Sequence, residues 1–221
     1  MVEKIVFDFL KELNVNNNRE WFHANKSFYD AARQSFDQTT RKLIILINEI
    51  DPEVGLPEPK DCNFRIFRDT RFSNDKTPYK INMGSYITKG GKKSPFAGYY
   101  LHVEPGSCFL AGGIYTPQPN VLNAVRQDIY HYTDEFLAIL HHPDFKSAFG
   151  TIDGEQLKTA PKGFDKTWEH INLLKFNSYN MMHSISDNQL QSPQAQHHLK
   201  ETFGLMVPFN KFLNRTIADL V

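Results

Sequence analysis

Cysteine is nearly absent from this chain: Cys62 and Cys108 are the only two, and they do not share a CxxC spacing. That rules out a disulfide framework and leaves two reduced, packed thiols as the expectation. Long apolar runs are missing too. The longest aliphatic run, LIILI at residues 43–47, is far short of the ~20 residues that cross a bilayer. The N-terminal MVEKIVFDFLKEL breaks its apolar residues with Glu3, Lys4, Asp8, Lys11 and Glu12, unlike the unbroken apolar centre of a signal peptide. These absences predict a cytoplasmic protein with no membrane partner.

Several chemical signatures are also lacking. TKGGKKS resembles a phosphate loop, but the first Gly of GxxxxGK[ST] would fall at Tyr86, and Lys93 follows Lys92 where the pattern needs Ser or Thr. There is no GxGxxG, no HExxH, no Cys and His quartet and no GxSxG elbow. The paired histidines His141, His142 and His197, His198 are adjacent, and neighbouring side chains on a helix diverge. No metal site is expected, no cofactor is implied, and no nucleophile is identified. Whether the protein is an enzyme stays open at this stage.

Net charge is absent as well, with 25 Lys and Arg against 25 Asp and Glu. The balance is uneven along the chain, however: residues 60–93 hold nine Lys or Arg against Asp61, Asp69 and Asp75, a local surplus of +6. A confined positive field on a neutral protein suits a small anionic ligand better than nucleic acid, which asks for many phosphate contacts. What the chain does have is aromatics, eighteen Phe and nine Tyr in 221 residues, enough to build one core.

Residues 2–13 carry apolar side chains in helical rhythm at Val2, Ile5, Val6, Phe9, Leu10 and Leu13. Residues 14–18 end that helix, and Asn18 can cap a second beginning Arg19-Glu20-Trp21. A third, through Phe28, Ala32, Phe36, Leu43, Ile47 and Ile50, stops at Asp51-Pro52. Residues 64–67, 81–88, 96–104 and 108–115 read as strands, with Lys89-Gly90-Gly91-Lys92 and Glu104-Pro105-Gly106-Ser107 as turns. In residues 96–104, Tyr99, Leu101 and Val103 alternate with Tyr100, His102 and Glu104, predicting one face on helices and one wetter face. A helix then runs from Leu122 to Leu140 and breaks at His142-Pro143. A strand is expected within 177–185 and a last helix over 194–220, kinked or divided at Pro208. The predicted fold class is α+β: a central, mainly antiparallel sheet with N-terminal and C-terminal helices packed on it, in one domain over residues 1–221.

The densest chemistry lies in FRIFRDTRFSNDKTPYK, residues 64–80, with three arginines, two lysines and two aspartates. Strict alternation puts Arg65, Phe67, Asp69 and Arg71 opposite Ile66, Arg68, Thr70 and Phe72, so only a bend near Asp69 gathers the three guanidinium groups. The short polar residues Ser73, Asn74 and Asp75 favour a turn, which would return Lys76 and Lys80 towards them. One reading is an anion site. Arg65, Arg68 and Arg71 hold a phosphate or carboxylate, Lys76 and Lys80 add charge, Asp69 or Asp75 orients a guanidinium or acts as a catalytic base, and Tyr79, Trp21 and Asn25 form walls. The other is a structural network in which Asp69, Asp75 and Glu20 neutralise the arginines and fix the loop on the sheet. A basic face for a protein or nucleic-acid partner is a third. Tyr100, His102 and Glu104 share one strand face, where a His and an acid could exchange protons, or simply form a half-buried outer surface.

The motifs NNNREWFHANKSFY, FRIFRDTRFSNDKTPYK, GYYLHVEPG, GGIYTPQP, LKTAPKGFD and LLKFNSYN together resemble a bacterial and fungal family catalogued as domain of unknown function 2461. The resemblance spans roughly residues 7–213. Its core here is Arg65, Arg68, Asp69, Arg71, Phe72, Ser73, Asp75, Lys76, Pro78, Tyr79 and Lys80. It implies one α+β unit and carries with it no reaction, substrate or cofactor.

Overall fold

The computed structural model describes residues 1–71 and 73–220. The first fifty residues are helical, as their periodicity requires. α1 (Lys4–Val15) buries Val6, Phe9, Leu10 and Leu13 on one stripe. α2 (Arg19–Ala24) starts where the Asn18 side chain accepts the Trp21 N–H at 2.9 Å. α3 (Lys26–Ile50) ends at Asp51, and Pro52 begins a 3-10 turn, Pro52–Val54. A single helical turn, α4 (Pro59–Cys62), leads into the charged segment.

The sheet has four antiparallel strands in sequence order: β1 (Met83–Ile87), β2 (Gly98–Val103), β3 (Phe109–Ile114) and β4 (Tyr179–Ser184). The turn between β1 and β2 uses Gly90 and Gly91, both at φ 79°, a region that costs glycine little. Residues 64–67 form no strand among the described residues. Asn63 makes an isolated bridge to Ser85, Phe67 makes another to Tyr79, and the Phe67 ring packs outside the sheet, on Phe22 and Tyr79.

Tyr99, Leu101 and Val103 of β2 are fully buried on the core face with Leu110 and Tyr179, so the expected alternation holds. α3 and the long α9 (Ala195–Ala218) cover that face. α9 lies close on β3: a Cβ added at Gly112 would fall 2.6 Å from Met206 Sδ. Tyr99 Oη donates to the buried Asp51 carboxylate at 2.7 Å, and Asn214 exchanges two hydrogen bonds with the Ala97 backbone, at 2.7 and 3.1 Å. These bonds answer polar groups that burial would otherwise penalise.

Two helix expectations need correction. The stretch expected as one helix from Leu122 to Leu140 is two, α5 (Pro119–His131) and α6 (Thr133–His141). Thr133 Oγ1 donates to the Ile129 and Tyr130 carbonyls, competing with the backbone bonds that would continue the helix. After His142, Pro143 opens α7 (Pro143–Phe149), a position that suits its fixed φ. A short α8 (Asp187–Gln191) follows β4, closed by a Ser186–Gln189 capping box. α9 is not divided at Pro208. Pro208 lies inside the helix, where its missing N–H removes one backbone bond. Among the described residues, no helix is long and apolar enough to cross a membrane.

Candidate functional site

Residues 63–80 are pinned from three sides. Asn63 donates to Asp37 at 2.7 Å and accepts from Thr40 Oγ1 at 2.8 Å, both on α3. Phe64 N–H donates to the Gly84 carbonyl at 3.0 Å, along the outer edge of β1. The chain then doubles back. Arg68 N–H donates to the Pro78 carbonyl at 3.0 Å, and Lys80 N–H to the Ile66 carbonyl at 2.8 Å. Asn17 fastens the base of this hairpin. Its amide donates to the Tyr79 carbonyl at 3.0 Å and its Oδ1 accepts the Tyr79 N–H at 3.1 Å, supplying both halves of a strand partner. Phe22 stacks on Tyr79 at 4.0 Å and 13°, with Phe67 tilted against both rings.

The hairpin tip satisfies its own charges. Asp75 accepts the Thr77 N–H at 2.9 Å and its hydroxyl at 2.8 Å, while Arg68 Nη1 reaches both Asp75 and Thr77. The Thr77 bonds and the Arg68 guanidinium hold the Asp75 carboxyl down to about 2. Arg71 forms a two-pronged pair with Asp69, Nε at 3.0 Å and Nη2 at 2.7 Å, and those bonds bring Asp69 to about 2. Carboxylates so easily ionised are weak general bases near neutral pH. Lys76 Nζ donates to the Thr70 carbonyl at 2.9 Å and ties the tip across its mouth.

Arg65 and Lys80 differ from these. Neither has a hydrogen bond or ion pair from its side chain among the described residues. Lys80 Nζ sits 5.6 Å from the centroid of the Phe64 ring. Partial burial, and then the Arg65 charge, push the Lys80 ammonium below its ordinary range. The bend therefore sorts the expected cluster into two sets: Arg68, Arg71 and Lys76 at the tip with Asp69 and Asp75, and Arg65 with Lys80 at the base.

Trp21 and Asn25 join neither set. Trp21 packs on Phe9 of α1 at 6.3 Å, and Asn25 Nδ2 donates to the Trp21 carbonyl at 2.9 Å, closing α2. Tyr79 is buried, and burial raises its phenol. Phe72 lies outside the described residues. Asn17 was not singled out from the sequence; the signal available was its place in a run of three asparagines, each able to bond a backbone.

Beside Lys80 and Phe64 runs a hydrogen-bonded chain on the wetter face of β2. Tyr100 Oη lies 3.0 Å from His102 Nδ1, and His102 Nε2 lies 3.0 Å from Glu104 Oε2. An ionised carboxylate only accepts, so Nε2 carries the hydrogen and Nδ1 accepts from the phenol. Burial, reinforced by the Glu104 charge, pushes the Tyr100 phenol up to about 12. Glu104 also lines a cleft of about 330 Å³ with Leu10, Lys11, Asn14 and Ile81. Among the described residues, no group of three or more His, Cys, Asp or Glu could hold a metal ion.

The chain belongs to the family described as conserved hypothetical protein (DUF2461), which it matches over residues 5–212. No curated protein and no solved structure matches it.

Proposed function

We propose that this member of the conserved hypothetical family binds a small phosphorylated or carboxylated molecule, with Arg65 and Lys80 holding the anion. The observation that carries the reading is the pairing of Arg65 with Lys80, neither of which has a side-chain hydrogen bond or ion pair to an acid among the described residues, although the Arg65 charge also reaches Asp69. Lys80 is partly desolvated and Arg65 depresses its proton affinity further, an arrangement that costs the apo protein free energy and that a bound anion would offset. An Arg fork and a Lys point charge together suit a tetrahedral phosphate or a carboxylate.

Asp69 and Asp75 favour a second role for the rest of the segment. They fix the Arg71 and Arg68 guanidinium groups and so shape the loop beside the ligand.

Thermal melting with phosphate, sugar phosphates and dicarboxylates separates the two sets. A ligand at a hundred times its Kd adds about 2.7 kcal/mol, or roughly 5–10 °C for a chain of this size. The expected result is a selective shift in the wild type that Lys80→Met abolishes and Arg68→Met retains. A shift that survives Lys80→Met, or no shift with any anion, overturns the assignment.

A further inference from the structure

The wetter face of the sheet is tiled with rings. Tyr86 of β1 and Tyr100 of β2 face each other in register, and each leans over a glycine of the other strand. A Cβ at Gly98 would fall 3.1 Å from Tyr86 Cζ, and one at Gly84 would fall 2.3 Å from Tyr100 Oη and 2.9 Å from two of its ring carbons. A ring lying down over glycine turns one π face to the backbone and the other away from it. Next to them His102 stacks on its register partner Phe109 at 4.4 Å and 13°. Phe64 stands against Tyr100 at 6.1 Å and 76°, and remains 45% exposed.

The row through Tyr86 and Tyr100 continues across the sheet to Ala111 and then Met182. Met182 is exposed, and the small, half-buried Ala111 separates it from Tyr100 along this row. Two polar residues of β4, Asn180 and Ser184, share this face by register. Lys80 stands at the Phe64 edge of the platform. Flat rings with a polar rim and an unpaired cation at one edge match a molecule that carries a planar heterocycle and an anion together.

We infer that the ligand is a free nucleotide, its base stacked on the Phe64, Tyr100 and Met182 face and its phosphate on Arg65 and Lys80. This rests on the anion reading above and adds the ring to it. Aromatic stacking is indifferent to base identity because every base has a π face, so the platform selects for the presence of a base more than for which base it is.

Calorimetric titration of the full chain with AMP, UMP, ribose 5-phosphate and a four-nucleotide single strand tests it. Each mononucleotide is expected to bind roughly 5- to 150-fold more tightly than ribose 5-phosphate, the margin that one stacked base supplies. Phe64→Ala and Met182→Ala are expected to shrink that margin, taken against each variant's own affinity for ribose 5-phosphate. Lys80→Met is expected to weaken both ligands alike. Melting curves without ligand establish that each variant is folded. Equal affinity for AMP and ribose 5-phosphate, or a margin intact in both ring-face variants, overturns the nucleotide while leaving the anion site standing. Binding of the single strand alone overturns a free nucleotide. Failure of every phosphate compound overturns the anion reading, and this one with it.

Discussion

Within residues 64–80 the tip and the base of one hairpin treat charge in opposite ways. At the tip, Arg68 meets Asp75 and Arg71 meets Asp69, each within a few residues of chain. At the base, neither Arg65 nor Lys80 has an ion pair to an acid among the described residues, the Arg65 charge reaching Asp69 only through space, and Lys80 is partly desolvated. Local turn chemistry suffices for the first arrangement, since Asp75 and Asp69 bond the backbone two residues on as well as their arginines. The second needs long-range support, because two like charges do not gather unaided. That support is the fixed frame of Asn17, Phe22, Tyr79 and Asn63.

The largest test removes the frame. Phe22 is buried and lies face to face with Tyr79, so Phe22→Ala should cost about 3–5 kcal/mol in denaturant unfolding, the loss typical of a buried aromatic. A loss below ~1 kcal/mol would mean that the hairpin base holds without its ring stack and that Arg65 and Lys80 are brought together by something else. Asn17→Ala comes next. It leaves the Tyr79 N–H and C=O without their partner, at about 1–3 kcal/mol. Anion-dependent stabilisation should fall in the same variant, because the Lys80 backbone is next in line. Full retention of the anion response would detach the base pair of cations from this clamp.

Local pattern reached much of this architecture. Helix periodicity marked α1 to α3, Asn18 announced its cap, and alternation in residues 96–104 separated the core face from the ring face. The errors came where a side chain far along the chain, or a hydroxyl nearby, overrode the pattern. Thr133 split a continuous helical stripe by bonding two carbonyls. Helix α9 continues through Pro208 although the proline lacks a backbone donor. At the candidate site, composition exposed the charge surplus but not its sorting. Alternation treats Arg65 and Arg71 as equivalent, whereas the turn gives Arg71 direct bonds to Asp69 and leaves Arg65 beside Lys80 with only a through-space pull from that acid. The Asn17 clamp acts across 62 residues, a separation at which periodicity carries no information.

The smallest effect sharpens the comparison most, because the charged groups of the two regions contribute to stability with opposite signs at neutral pH. Asp69 and Asp75 have folded-state values of about 2 against an ordinary 3.8. Their stabilising contribution is therefore present above about pH 4 and is lost as pH falls towards 2. Both carboxyls are about half exposed, so the change should be local: carbon-detected titration should give two midpoints near 2, and the Thr77 amide should exchange faster over the same window. Lys80 contributes a penalty instead. Its folded-state value is lowered, so the folded protein binds that proton less tightly than the unfolded chain, and the penalty persists at neutral pH and disappears only as pH rises towards 10.5. Lys80→Met should then leave neutral-pH stability unchanged within about 0.5 kcal/mol or raise it, whereas Arg68→Met should lower it. A clear loss in Lys80→Met would mean that the ammonium already has a favourable partner in the apo protein, and the contrast between tip and base would collapse.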